Sequence, residues 1–209
     1  MKKIMDKLHT KVTLNKNLIV FLVILLLVGV MAGSIFTTVL NQEDKTLIIE
    51  RLNLFLDNVS NNNIDYLNVL KSNVLTNIFY ILTIWLLGIS VIGLPIIIIM
   101  YFSKTFILGF TIGSILTTFK LKGILFSLIY VFPGNVISLL FYLLLTMYAM
   151  SFSFKLIYAI FKKRTFDFRK VTNRYFKILL LVLVVCILMN LYDTFIMPKL
   201  VNFFMTFIR

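Results

Sequence analysis

The sequence predicts an all-α fold: a polytopic integral membrane helical bundle of about five transmembrane helices, with one amphipathic extracytoplasmic segment and one broken helix. Three observations carry this. Hydrophobic residues make up 60% of the chain and the mean hydropathy is +1.00, far from the range of soluble domains. The apolar residues gather in runs long enough to cross a bilayer, for which roughly 20 residues at about 1.5 Å each suffice. The basic residues behind the net charge of +13 stand at the ends of those runs, where the positive-inside rule places them. That placement favours a membrane protein over a nucleic-acid binder. The single cysteine, Cys186, excludes a disulfide framework or a cysteine metal cluster within one chain.

Residues 1–17 are short and basic, with Lys2, Lys3, Lys7, Lys11 and Lys16 against Asp6, and are expected to form a cytoplasmic tail. The first span is residues 18–40. Val30-Met31-Ala32 before Gly33 loosely fits a signal-peptide cleavage site, but the apolar run continues through Leu40, which favours an uncleaved anchor. Gly29 and Gly33 have the small-xxx-small spacing that lets a second helix approach closely.

Residues 41–73 form the one sizeable polar segment before the next run. Its acids, Glu43, Asp44, Glu50, Asp57 and Asp65, outnumber Lys45, Arg51 and Lys71, which suits the extracytoplasmic face. Ile48, Leu52, Phe55, Leu56 and Val59 recur at helical spacing opposite Glu50, Asn53 and Asp57, so Thr46 to Val59 reads as an amphipathic helix. Ser60 to Asn63 breaks it, and a second helix starts at Asp65. The pair either lies on the outer membrane surface or docks a partner.

From Val74 to Phe119 the chain is nearly unbroken hydrocarbon with Lys104 its only charge, more than twice the length of one span. Two spans follow, 74–102 and 105–119. The reversal falls at Gly93-Leu94-Pro95 or at Ser103-Lys104. The second is preferred: it sets Lys104 at the headgroups and leaves Gly93 and Pro95 as a kink packed on protein. Trp85 and Gly88 belong to the same cluster of small and helix-breaking residues, and Gly109 and Gly113 repeat the small-xxx-small spacing.

Lys120, Lys122 and Gly123 mark a tight outer loop. The fourth span, residues 123–154, is interrupted by Pro133-Gly134-Asn135, where Asn135 is positioned to cap the restarted helix. Such breaks build binding sites in transporters or are structural kinks. No acid or histidine occupies a span interior, and Asn77, Ser90, Thr111, Ser114, Asn135 and Ser138 are thinly scattered, which argues against a conduit. Residues 155–177 form the basic cytoplasmic loop, in which Lys155, Lys162, Lys163 and Arg164 serve, with Lys104, as interfacial charge anchors. The last span is 178–197, and 198–209 is an extracytoplasmic tail.

No catalytic constellation is visible. His9 is the only histidine and lies in the tail; Glu50 and Asp57 mark the solvated edge of an amphipathic helix; Asp193 lies near the outer end of the last span, where snorkelling or capping accounts for it. The expectation is a non-enzyme with no cofactor and no metal, in one membrane domain.

At these residues the sequence resembles the stage II sporulation protein M family of endospore-forming bacteria. The resemblance rests chiefly on Trp85-Leu86-Leu87-Gly88-Ile89-Ser90-Val91-Ile92-Gly93-Leu94-Pro95, continuing through Lys104 to Gly109-Phe110-Thr111-Ile112-Gly113. Pro133-Gly134-Asn135 and Ser151-Phe152-Ser153 add weaker support, and the resemblance covers essentially the whole chain. More distant members carry a histidine-glycine pair and an acid at the membrane proline motif; this chain has neither. The resemblance implies a non-enzymatic scaffold in the mother-cell membrane at the septum and engulfing membrane. Its implied partners are stage II sporulation protein P, an amidase, and stage II sporulation protein D, a lytic transglycosylase. The lipid bilayer is its surroundings, nucleic acid is not a partner, and self-association stays open. Trp85, Gly88, Gly93, Pro95, Gly109, Gly113, Pro133, Gly134 and Asn135 are the candidate helix-packing or partner-interface residues. The alternative is a small channel or permease subunit with its pathway at the Pro133 break.

Overall fold

The computed structural model describes residues 16–61, 63–132, 134–162 and 168–208. Among these every regular element is a helix: α1 (Lys16–Val39), α2 (Gln42–Ser60), α3 (Tyr66–Gly88), α4 (Gly93–Val131), α5 (Gly134–Lys162), α6 (Phe168–Phe195) and α7 (Met197–Ile208). The alternation that would mark a strand is missing from the sequence, and the apolar runs leave the helix as the only way to satisfy the backbone in lipid. Five helices are long and apolar enough to cross a membrane.

α5 is the central post. Tyr142, Leu145, Ala149 and Phe152 are buried along it against Ile81 and Ile84 of α3, Ile97 and Tyr101 of α4, and Tyr175, Leu179 and Val182 of α6. α1 lies outside α4, running beside it in the same direction. One end of the bundle carries Lys16, Lys155, Arg169, Lys170, Arg174 and Lys177; we call it the basic end. The other end is capped by α2 and α7.

The first reversal corrects the sequence expectation. The chain turns at residues 89–92, not at Ser103-Lys104, and α4 runs unbroken past Lys104. Pro95 stands in the first turn of α4, where no amide hydrogen is required, so it starts a helix and does not kink one. A β-carbon on Gly93 would run into the Leu87 carbonyl, which explains a glycine where the chain doubles back.

α4 contains a second break. Lys120 has φ 52° and ψ −127°, the only positive φ at a non-glycine among the described residues. The arm before it, 93–119, is about 40 Å long and can cross a bilayer; the arm after it, 121–131, is about 16 Å and reaches only half depth. This half-length arm folds back against the first, with Phe119 and Phe126 edge to face at 5.5 Å. The chain then breaks at Phe132 and restarts as α5 at Gly134. Pro133 itself lies outside the described residues, as do Lys163, Arg164 and His9.

The apolar side of α2 is turned onto the chain's own helices. Leu52, Phe55, Leu56 and Val59 pack on Ile115 and Phe126 of α4 and on Met197 and Val201 of α7, forming a roof. Asp65 caps α3, accepting from the Asn68 amide at 3.2 Å. α6 starts ten residues before the expected span, at Phe168, and residues 197–208 form helix α7 after a bend at Ile196.

Candidate functional site

Three features collect the residues that the sequence singled out. The first is the reversal at the basic end. The Trp85 carbonyl, near the end of α3, accepts from the Tyr175 hydroxyl at 2.9 Å, and the two rings stack at 5.7 Å. Phe152 stacks on the other side of Tyr175 at 5.0 Å. The Ser153 hydroxyl donates to the Ser90 carbonyl at 2.9 Å, satisfying a backbone group freed by the turn. A β-carbon on Gly88 would lie 2.8 Å from Ala149 Cβ. Trp85 and Gly88 thus fasten the turn to α5 and α6, Gly93 lets it close on Leu87, and Pro95 is exposed on its outer side.

The second is the glycine seam. β-Carbons on Gly29, Gly33, Gly109 and Gly113 would collide, respectively, with Thr105, with the backbone of Phe106 and Phe110, with the backbone of Val30, and with Ser34. The Ser34 hydroxyl donates to the Gly109 carbonyl at 2.9 Å. Both small-xxx-small pairs therefore meet each other, α1 against α4, and close approach of backbones is what they permit. Gly109 and Gly113 are buried inside the chain's own bundle.

The third was not legible in the sequence. Lys104 lies about 16 Å along α4 from Gly93, near mid-depth of a hydrocarbon core about 30 Å thick. It is therefore not the interfacial anchor expected of it. Its ammonium donates to Asn77 Oδ1 at 3.0 Å and lies 5.3 Å from the ring centres of both Tyr80 and Tyr142. Asn77 Oδ1 also accepts from the Tyr142 hydroxyl at 3.0 Å, and Asn77 Nδ2 donates to Asn190 Oδ1 at 2.9 Å. Asn190 Nδ2 donates in turn to the Cys186 carbonyl at 2.7 Å. One network so joins α3, α4, α5 and α6, and among the described residues no carboxylate lies within ion-pairing distance of Lys104.

Lys104 forms part of the wall of a cavity of about 160 Å³, together with Asn77, Thr111, Tyr130, Asn135, Ser138, Tyr142 and Asp193. Asp193 packs against the start of α5, where a β-carbon on Gly134 would lie 2.8 Å from its Cγ. Glycine there admits the carboxylate to a helix N-terminus, whose free amides favour negative charge. Asp193 Oδ1 is nevertheless shut off from solvent with no hydrogen-bond partner among the described residues. Asn135 does not cap α5: its Nδ2 donates back to the Tyr130 carbonyl at 3.5 Å, a group left over by the helix break. A second cavity of about 430 Å³, shared at Asn77, Tyr130, Asn135 and Asp193, continues towards the capped end past Asn63, Asp65 and Asn73. Towards the basic end the chain is closed by Ile81, Ile84, Ile97, Tyr101, Leu145 and Val182, all with no exposure.

The scattered polar residues Asn77, Thr111, Asn135 and Ser138 are thus brought to one place; Ser90 and Ser114 are not. Sequence reasoning placed Lys104 at the headgroups, missed Tyr142 and Asn190, and underrated Asp193. The available signal was a lone lysine deep in an apolar run. Lys155 and Lys162 lie in the last turns of α5 at the basic end. Among the described residues no cluster of three His, Cys, Asp or Glu could hold a metal.

These helices and this interior define a multi-pass α-helical membrane protein. The family model for stage II sporulation protein M matches residues 21–198, and the chain belongs to that family, which gives it a role in sporulation. No curated protein and no solved structure matches it.

Proposed function

We propose that the protein is a non-enzymatic membrane scaffold that gathers stage II sporulation proteins P and D at the sporulation septum for septum thinning and engulfment. Its basic end faces the mother-cell cytoplasm, which puts the N-terminus inside and the cap outside. The observation that carries this reading, beside family membership, is the use made of α2. Its apolar face is buried on α4 and α7, while Glu43, Asp44, Glu50 and Asp57 are exposed on a rigid roof. A fixed, acidic, extracytoplasmic face suits recognition of basic patches on extracytoplasmic enzymes, because complementary charge guides and orients association. The glycine seam is occupied by α1 and α4 of the same chain, so a partner's membrane anchor would have to use other lipid-facing surfaces.

The channel reading is weaker. A conduit needs polar surface through both halves of the membrane, and here the half nearer the basic end is filled by apolar side chains.

Co-purification in mild detergent with full-length and anchor-deleted hydrolases tests the scaffold. Retention of both, lost on Glu50→Lys with Asp57→Lys while the fold is intact, is the expected result. Failure to retain either full-length hydrolase would overturn the reading.

A further inference from the structure

A cation at mid-membrane is costly, and such residues mark sites of function. Lys104 is held by an amide oxygen and two ring faces, which orient the ammonium without neutralising it. Asp193 stands on the wall of the same cavity; its Oδ1 is packed away against Gly134 with no hydrogen-bond partner among the described residues, which leaves Oδ2 as the oxygen that a ligand reaches. The two opposite charges face one space and do not touch. In a closed core they would be expected to collapse into an ion pair, because a buried pair is tolerable only with close contact. Here the space between them is open and continues into the cavity at the capped end.

We infer that this blind cavity binds a small zwitterion of the amino-acid class, its carboxylate on Lys104 Nζ and its ammonium on the Asp193 carboxylate. Each charge of such a ligand meets its opposite, and both protein charges gain an opposite charge in contact. At about 160 Å³ the cavity matches engineered cavities that hold a six-carbon ring, so it admits an amino acid with a small side chain and excludes a large one. Ile107, Leu108 and Leu139 supply an apolar wall for that side chain. The route in passes Asp193 first, so the ammonium end trails and the carboxylate leads. Asn135, held at the helix break, stands on both cavities and so at the mouth. The inference does not rest on the scaffold reading and survives its failure.

The test is equilibrium binding of radiolabelled alanine to the full chain in lipid nanodiscs, with acetate, methylammonium and phenylalanine as competitors. Saturable alanine binding is expected, with acetate and methylammonium each competing at least tenfold more weakly than alanine and phenylalanine not competing. Lys104→Met and Asp193→Asn should each weaken binding by about tenfold or more, as loss of a charged hydrogen-bond partner does. Lys71→Gln, on the exposed side of α3, should leave it unchanged. Absence of saturable binding overturns the proposal, as does acetate competing as well as alanine, which would make this an anion site. The competitor series uses the unaltered protein, so it decides the matter even where a variant fails to fold.

Discussion

Replacing Gly109 by alanine tests the α1–α4 seam. The added methyl carbon would lie 2.7 Å from both the Cα and the carbonyl carbon of Val30, and closer to its oxygen. The obstacle is backbone, so no rotamer change relieves it and the helices must separate. Overpacking of this kind costs about 1–3 kcal/mol, and a backbone obstacle belongs at the upper end. Separation also strains the 2.9 Å bond from Ser34 to the Gly109 carbonyl, worth about 1 kcal/mol. Against these, alanine favours the helix over glycine by about 1 kcal/mol. The net expectation is a loss of about 2–3 kcal/mol, or roughly 30- to 150-fold in the folding equilibrium. Trp85, the only tryptophan, stacks on Tyr175 and reports the transition in a reversible SDS titration in mixed micelles. Gly29→Ala meets chiefly the Thr105 side chain and should lose less. A Gly109→Ala protein as stable as its parent would show that helix propensity wins and that the two backbones do not touch at Val30.

Asn77→Leu leaves Lys104, Tyr142 and Asn190 each without a hydrogen-bond partner it now has, at about 1–3 kcal/mol apiece, and should be the most damaging single change in the polar network; the same titration measures it. Lys120→Gly should raise stability by about 1 kcal/mol, because φ 52° with ψ −127° is a conformation that favours glycine; a loss would place Lys120 in ordinary helical geometry. Cys186 is 3% exposed, so a membrane-permeant maleimide should label it only as fast as the bundle opens. Equal labelling rates in native and SDS-unfolded protein would contradict its burial, and Asn77→Leu should accelerate the native rate.

Much of the architecture is carried by local properties. Hydropathy and the helical period identify five spans and the amphipathic α2, because lipid leaves a backbone little choice but the helix and because a one-sided apolar stripe needs something to cover it. The glycine pairs 29/33 and 109/113 are visible as spacing, although which helix each would meet is not. Asp65 as the start of α3 is likewise written in a few neighbouring residues.

What the chain alone left open depends on residues far apart in sequence. Whether Lys104 seeks a headgroup or the interior turns on Asn77, Tyr80 and Tyr142, which come from two other helices, so a lone lysine in an apolar run reads as a loop when it is a buried, partnered group. That misreading moved the reversal from residues 89–92 to Ser103-Lys104, since a charge and a glycine-proline pair compete for the same turn. Polar residues that look scattered along the chain converge because α3, α4, α5 and α6 each turn some of them towards one interior space. Sequence fixes how long and how greasy each helix is, because those are properties of contiguous residues; only tertiary packing decides what each face meets, because a charge's partner and a cavity's walls are assembled from separate spans.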